Sequence, residues 1–294
     1  MIPNGESGER LRGLCLSLCI GGLCVVLALG ASPARAGEAE LAYFNTKNIF
    51  YSGLKGTKVV ALTFDDGPNA NTLRVLETLK AHGIKATFFI VGQKGAKNPD
   101  LVRRIAEEGH LLANHTADHK QLTSRFAASP HLLFGQLRKV HDQIAPYIHA
   151  YDRLFFRAPY GSWRSEHAAL LNADPDLKHY IGPIFWDVGG DTIVTAKGYV
   201  WASADWDCWR RGWSAETCGN GYLREIERKQ GGVVLIHDIH AKSAAMIAQM
   251  VPILVNDGYR FARLDQLPAY DRYETPKDEP TAVALGPSAP RLAH

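Results

Sequence analysis

Short apolar runs alternate with helix-period segments from Val59 to Leu264, and this alternation restricts the fold more than any other feature of the chain. Residues 59–64 read as a buried strand, and residues 71–81 as a helix carrying Leu73, Leu76 and Leu79 that stops at Gly83. Residues 84–91 are the next strand; Asn98-Pro99 then opens a helix with Leu101, Val102 and Ile105 that closes at Gly109. Further strands are expected at 111–114, 154–157, 181–186, 233–237 and 259–264. Ser129-Pro130 opens a longer helix with Leu133, Leu137, Val140 and Ile144 at core spacing, and helices are expected at 165–172 and 243–256. Six or seven βα units in succession predict an α/β fold on a parallel sheet. The sheet is either a barrel, complete or not, or open and doubly wound.

In either fold the chemistry sits at the C-terminal ends of the strands. The polar residues of this chain gather there: Asp65-Asp66 after the first run, His115 after the third, Arg157, Asp187 and His237 after later ones. Asp65-Asp66 is followed by Gly67-Pro68, which turns the chain sharply. Two adjacent carboxylates in a partly dry site resist ionising together, and a bound cation is the natural compensator. His115-Thr116-Ala117-Asp118-His119 sets two imidazoles four residues apart, on one face if the segment is helical. With a strand-end Asp they make a His₂-Asp set, which leaves coordination positions open for water. The other Asp of the pair is then free to act as a base, with Arg157 as the cation that favours its charged form. His237, on an otherwise apolar strand, is a candidate proton donor to a leaving group.

Composition bounds the setting. With 46% hydrophobic and 21% charged residues and a net charge of +3, the chain has no strongly basic character, so nucleic acid is not an expected partner. Residues 1–36 read as a secretion signal: Arg10 and Arg12, an apolar stretch at 14–29, and Ala34-Arg35-Ala36 as a small-x-small cleavage site. The apolar stretch is near bilayer-spanning length, so retention as an anchor is the alternative to cleavage. The first choice is a secreted or periplasmic protein with no stable membrane anchor. Three of the five cysteines fall in the signal, leaving Cys208 and Cys218 as an even pair in an oxidising compartment, where a disulfide is expected. Residues 37–57 form a polar lead-in, 58–268 the catalytic domain, and 269–294 a Pro-rich tail expected to be disordered. Residues 192–222 interrupt the βα rhythm with Trp201, Trp206, Trp209, Trp213 and the cysteine pair.

Four stretches, in this order, resemble the polysaccharide deacetylase family of carbohydrate esterases: Thr63-Phe64-Asp65-Asp66-Gly67-Pro68, His115-Thr116-Ala117-Asp118-His119, Arg157-Ala158-Pro159-Tyr160 and Leu235-Ile236-His237. The resemblance implies a distorted, incomplete (β/α) barrel. It implies Asp65 as general base, His237 as general acid, and Asp66, His115 and His119 as ligands of zinc or of cobalt, nickel or manganese. It further implies Arg157 as the residue that orients Asp65, and the backbone N–H of Tyr160 as part of an oxyanion hole. Pro159, Tyr160, Leu235, Asp187 and Asp191 are candidate substrate-side residues, and Trp209 is a candidate wall of the groove or a piece of a structural flap. The family's fourth motif, Asp-x-x-Asp-Trp, is broken here: Trp186-Asp187-Val188-Gly189-Gly190-Asp191-Thr192 has no Trp after Asp191, and either Asp is a candidate to tune His237 or Arg157. The implied reaction is removal of N-acetyl groups from N-acetylglucosamine-containing polysaccharide, peptidoglycan or chitin-like. The alternatives are O-acetyl xylan hydrolysis by the same residues, or glycan binding without catalysis through the Trp-rich insert.

Overall fold

The computed structural model describes residues 42–49, 52–149, 152–194 and 200–273; the expected signal and most of the Pro-rich tail lie outside the described residues. In chain order the elements are β1 (Phe44–Ile49), β2 (Val59–Asp65), α1 (Ala70–Ala81), β3 (Thr87–Ile90), α2 (Gly92–Lys97), α3 (Pro99–Glu107), β4 (Leu111–Asn114), α4 (Ser124–Ala127), α5 (Pro130–Ile144), β5 (Leu154–Phe155), α6 (Ser165–Asn172), β6 (Tyr180–Ile184), β7 (Thr192–Val194), β8 (Val200–Ala202), α7 (Asp205–Arg210), α8 (Ala215–Lys229), β9 (Gly231–His237), α9 (Ala241–Asn256) and β10 (Arg260–Phe261). Among the described residues no helix is long and apolar enough to cross a membrane.

The helix starts follow local chemistry. Asn69 caps α1, its side chain accepting from the N–H of Asn71, while its own N–H donates to the Thr72 hydroxyl. Proline at the first helical position begins α3 and α5, where a missing N–H costs nothing.

The strands pair in parallel around an irregular ring. β9 pairs with β2 residue for residue, from Val59 opposite Gly231 to Asp65 opposite His237. β2 pairs with β3 and β3 with β4, and a single bridge, Asn114 to Phe156, passes the ring on to β5 and β6. A bridge from Val188 to Val234 returns it to β9. With a two-residue β5 and lone bridges at two joints, this is the distorted, incomplete (β/α) barrel that the motifs imply. The hairpin β7–β8 is antiparallel and stands apart from the ring, within the 192–222 insert.

Both faces of the strands are buried. Val60, Leu62, Phe64, Phe88, Ile90, Val234 and Ile236 point outward against α1, α3, α5, α8 and α9. Ala61, Phe89, Ala113, Phe155, Ile181 and Val233 point inward, where Leu264, Leu267, Tyr270 and Tyr273 join them. Two expectations therefore change. The lead-in is part of the sheet, since β1 pairs with β6 and Phe44 is buried. The folded body runs past residue 268 to at least Tyr273, because the two tyrosines plug the barrel.

Candidate active site

β2 delivers Asp65 and Asp66 to the C-terminal rim, and the chain then leaves in a turn in which Asp66 itself has φ 74°. Asp65 is buried, and its Oδ1 accepts from Nη1 of Arg157 at 2.7 Å. Arg157 is 1% exposed, so the surface salt bridge that an isolated Arg usually makes does not apply. Three more of its five N–H donors are used, on the Thr63 hydroxyl (2.8 Å) and on the carbonyls of Ile184 (3.1 Å) and Phe185 (3.3 Å), and its Cζ lies 4.1 Å from the Phe89 ring centroid. This leaves Asp65 Oδ2 as the free acceptor of the pair, 3.6 Å from Nε2 of His115.

The loop after β4 brings in the two histidines, and it is not helical. Thr116 and His119 both have left-handed backbones, φ 67° and 55°. Asn114 Oδ1 and Gln136 Oε1 hold the loop amides of Thr116, Ala117 and Asp118, and the amides of Gly92 and Gln93 at the start of α2 bond the carbonyls of Thr116 and Ala117. His115 Nδ1 lies 2.8 Å from the carbonyl oxygen of Arg157. A carbonyl only accepts, so the proton sits on Nδ1 and the Nε2 lone pair faces the site. Nε2 of His115 and of His119 are 3.4 and 3.0 Å from Asp66 Oδ1. One donor atom from each of the three residues falls within 4.8 Å of the others. Burial alone would raise the Asp66 carboxyl, but the two facing imidazoles hold it well below the usual carboxylate range. Asp66 Oδ1 is buried and has no ordinary hydrogen-bond donor among the described residues. A carboxylate and a lone pair converging with no proton between them fit a divalent cation, and the N₂O donor set suits zinc or a similar ion.

His237 ends β9 directly across from Asp65. Neither Asp187 nor Asp191 reaches it. Asp187 Oδ2 accepts from Ser52 Oγ (2.6 Å) and from the Val233 N–H (2.9 Å), four residues or about 13 Å back along the strand. Asp191 is exposed, and its carbonyl accepts from the Ser203 N–H. The partner is Asp205, the first residue of α7: its Oδ1 takes Nδ1–H of His237 at 2.7 Å and its Oδ2 takes the His237 backbone N–H at 2.9 Å. Burial would depress the imidazole, but Asp205, with Asp66 and Asp65 beyond it, pushes His237 up to about 10. Asp205 itself is pushed up by burial and pulled below the carboxylate range by His237. The insert displaces this residue from where the sequence is searched for it, yet the Asp205-Trp206 dipeptide is the signal that could have located it.

The remaining candidates separate. Pro159 is buried, in a 3-10 turn (Pro159–Gly161) that puts Tyr160 at φ 58° with its side chain 71% exposed, 4.7 Å from the His119 ring. That turn sets the Tyr160 backbone, the candidate oxyanion-hole donor, beside His119. Leu235 is buried, and its carbonyl accepts from the Tyr222 hydroxyl. Trp209 turns inward: its indole N–H donates to Ser243 Oγ (3.1 Å), which donates to Asp205 Oδ2 (2.8 Å), so it braces Asp205 from behind. Trp206 is half exposed beside Asp205, and the side chain of Trp201 lies outside the described residues. The sulfurs of Cys208 and Cys218 are 2.08 Å apart and buried.

A sequence model of the family described as polysaccharide deacetylase matches residues 53–175. The chain is 32% identical to the peptidoglycan-N-acetylglucosamine deacetylase of Listeria monocytogenes over 72% of its own length, but it spans only 39% of that protein. It is 31% identical to a peptidoglycan-N-acetylglucosamine deacetylase of Bacillus cereus, over 74% of this chain and 70% of that one. A solved structure described as the T48 deacetylase with substrate superposes with a TM-score of 0.56 at 30% identity, over 72% of this chain and 92% of that one.

Proposed function

The chain belongs to the polysaccharide deacetylase family, and from that premise we propose that it is a metal-dependent hydrolase that removes N-acetyl groups from N-acetylglucosamine-containing polysaccharide, peptidoglycan or chitin-like, releasing acetate. The observation that carries the reading is the meeting of three units on one barrel rim: Asp65 with Arg157, the Asp66–His115–His119 set, and His237 with Asp205. A binding module has no use for all three.

Asp66, His115 and His119 would hold the cation, zinc being the first choice. When bound, it supplies Lewis-acid polarisation of an acyl carbonyl and of a water. Asp65 accepts the water's proton at Oδ2, while Arg157 keeps the carboxylate ionised and fixes its rotamer. The Tyr160 N–H donates to the oxygen of the tetrahedral species, which is worth roughly 3–4 kcal/mol for one well-placed donor. His237, protonated on both nitrogens, gives the Nε2 proton to the departing sugar amine, and Asp205 holds the resulting ring in place through Nδ1. The signal-like residues 1–36 and the paired cysteines support a location outside the cytoplasm.

Acetate release from chitooligosaccharides, peptidoglycan and acetylated xylan, with and without chelator, tests the reading. Chelator-sensitive release from the first two is expected. Release from xylan alone would identify an O-acetyl esterase, and chelator-insensitive binding without release a non-catalytic module. Asp65→Asn should keep the metal and lose about a thousandfold or more in kcat, within the range for removing a general base. His119→Ala should lose metal affinity by isothermal titration. An active Asp65→Asn variant contradicts the assignment.

A further inference from the structure

Asp205 reaches His237 from a helix that cannot hold its own position. α7 has six residues, too few to persist alone, yet its first residue makes both bonds that fix the imidazole and its backbone. Three fastenings keep it in place. The Asp205 N–H donates to the Tyr222 hydroxyl of α8 at 3.0 Å. Ser243 of α9 links Asp205 Oδ2 to the Trp209 indole. Cys208, three residues on from Asp205 and therefore on the same side of α7, is joined to Cys218 in the first turn of α8. The cross-link is buried within the outer core that α8 and α9 share with β2 and β9.

We propose that the Cys208–Cys218 cross-link is a positioning element of the catalytic acid: by fastening α7 to α8 it holds Asp205 against His237, so that only the cross-linked protein hands over its proton at full efficiency. This rests on the reading of His237 as general acid. The carboxylates facing His237 are Asp205 on α7 and Asp65 and Asp66 at the end of β2. The proposed metal-binding side chains come from the turn after β2 and the loop after β4, not from α7 or α8, so loss of the cross-link should impair the acid and leave the cation site intact.

The test compares metal-reconstituted full-length protein, Asp205→Asn, and the double variant Cys208→Ala/Cys218→Ala. The readouts are kcat and KM against pH on peptidoglycan or chitooligosaccharide, metal affinity and Tm. The double variant is expected to lose about tenfold in kcat, a fraction of what a general acid supplies. Its alkaline limb should move acidwards by about one pH unit or more, toward that of Asp205→Asn, with metal affinity unchanged. A lower Tm with the limb in place and kcat intact overturns the proposal and leaves the cross-link a purely structural staple. If Asp205→Asn itself leaves the limb unmoved, the general-acid reading fails instead. Should the double variant not fold, wild-type protein is reduced in steps with tris(2-carboxyethyl)phosphine and its free thiols are counted by mass after alkylation. Activity that falls with the reduced fraction at pH 9 but much less at pH 6, with the circular dichroism spectrum retained, supports the proposal. Full activity of reduced folded protein, or unfolding in step with reduction, overturns it.

Discussion

A buried charge is tolerated only where each of its hydrogens or lone pairs is met, and Arg157 and Asp238 show the two outcomes. Arg157 is satisfied by two side chains, two carbonyls and an aromatic face. Asp238, the residue after the proposed acid, is fully buried; Thr72 Oγ1 donates to its Oδ2 at 2.5 Å, its Oδ1 has no partner among the described residues, and both oxygens fill the space that a Cβ on Gly67 would need. Burial, aided by the charges of Asp66 and Asp65 and opposed by Thr72, pushes its carboxyl up to about 7. The unfolded chain, with an ordinary carboxyl near 3.8, holds fewer protons than the folded one between those two values. This carboxyl's contribution to the stability of the metal-free protein therefore falls as pH rises from about 4 to about 7 and is flat above. Asp238→Asn, which cannot ionise, should be more stable than wild type at pH 8 by up to about 4 kcal/mol, with the gap closing toward pH 4, as read by urea unfolding at each pH. A gap that does not vary with pH contradicts this.

At the level of elements, most of what the sequence supports rests on punctuation. Asn98-Pro99 and Ser129-Pro130 mark the starts of α3 and α5, and the apolar runs mark β2, β3, β4 and β9. α2 and the fifteen-residue α8 escape such a reading because both carry glycines inside, which usually argue for loops. Those glycines serve close approach. A Cβ on Gly92 would sit 3.1 Å from the Ala117 Cα, and one on Gly221 would collide with the carbonyl of Ala202 on β8. Asp205 is hard to place for a related reason: the Asp205-Trp206 dipeptide stands in the sequence, but its position beside His237 depends on how α8 docks and not on spacing along the chain. The residues of the candidate site can be read from the sequence because each motif sits within a few residues of its own strand end. Gly221→Ala should cost about 1–3 kcal/mol, the usual penalty for overpacking, and lower the guanidinium midpoint accordingly. Because Tyr222 is the next residue, kcat should fall as well.

The molecule as a whole closes its barrel with residues that composition assigns to a tail. Small inward residues, Ala61 and Ala113, leave room that Tyr270 and Tyr273 occupy. Tyr273 also accepts through its hydroxyl from Asn45 of β1, and its carbonyl accepts from Arg153, tying the last described residue to the first strand. The charged Asp271-Arg272 between the tyrosines, and the prolines beyond, hide this from a composition-based boundary. Tyr273→Ala should cost about 3–5 kcal/mol, as large aromatic truncations in cores do, read as a lower unfolding midpoint. An unfolding midpoint equal to wild type places the domain boundary back at 268.

Asp65 and His237 face each other across neighbouring parallel strands, so the proposed proton acceptor and donor stand one interstrand spacing apart, about 4.8 Å at the backbone. That spacing works as a fixed gauge, calibrated by a ladder of main-chain hydrogen bonds and insensitive to the side chains around it. Loops can be exchanged above the gauge without resetting it as long as they keep the site residues they carry, and selection for a new glycan should accumulate changes at the other positions of the insert and of the turns after β4 and β5. A slip of β9 by one residue would set Ile236 opposite Asp65 and swing the imidazole to the helix side of the sheet.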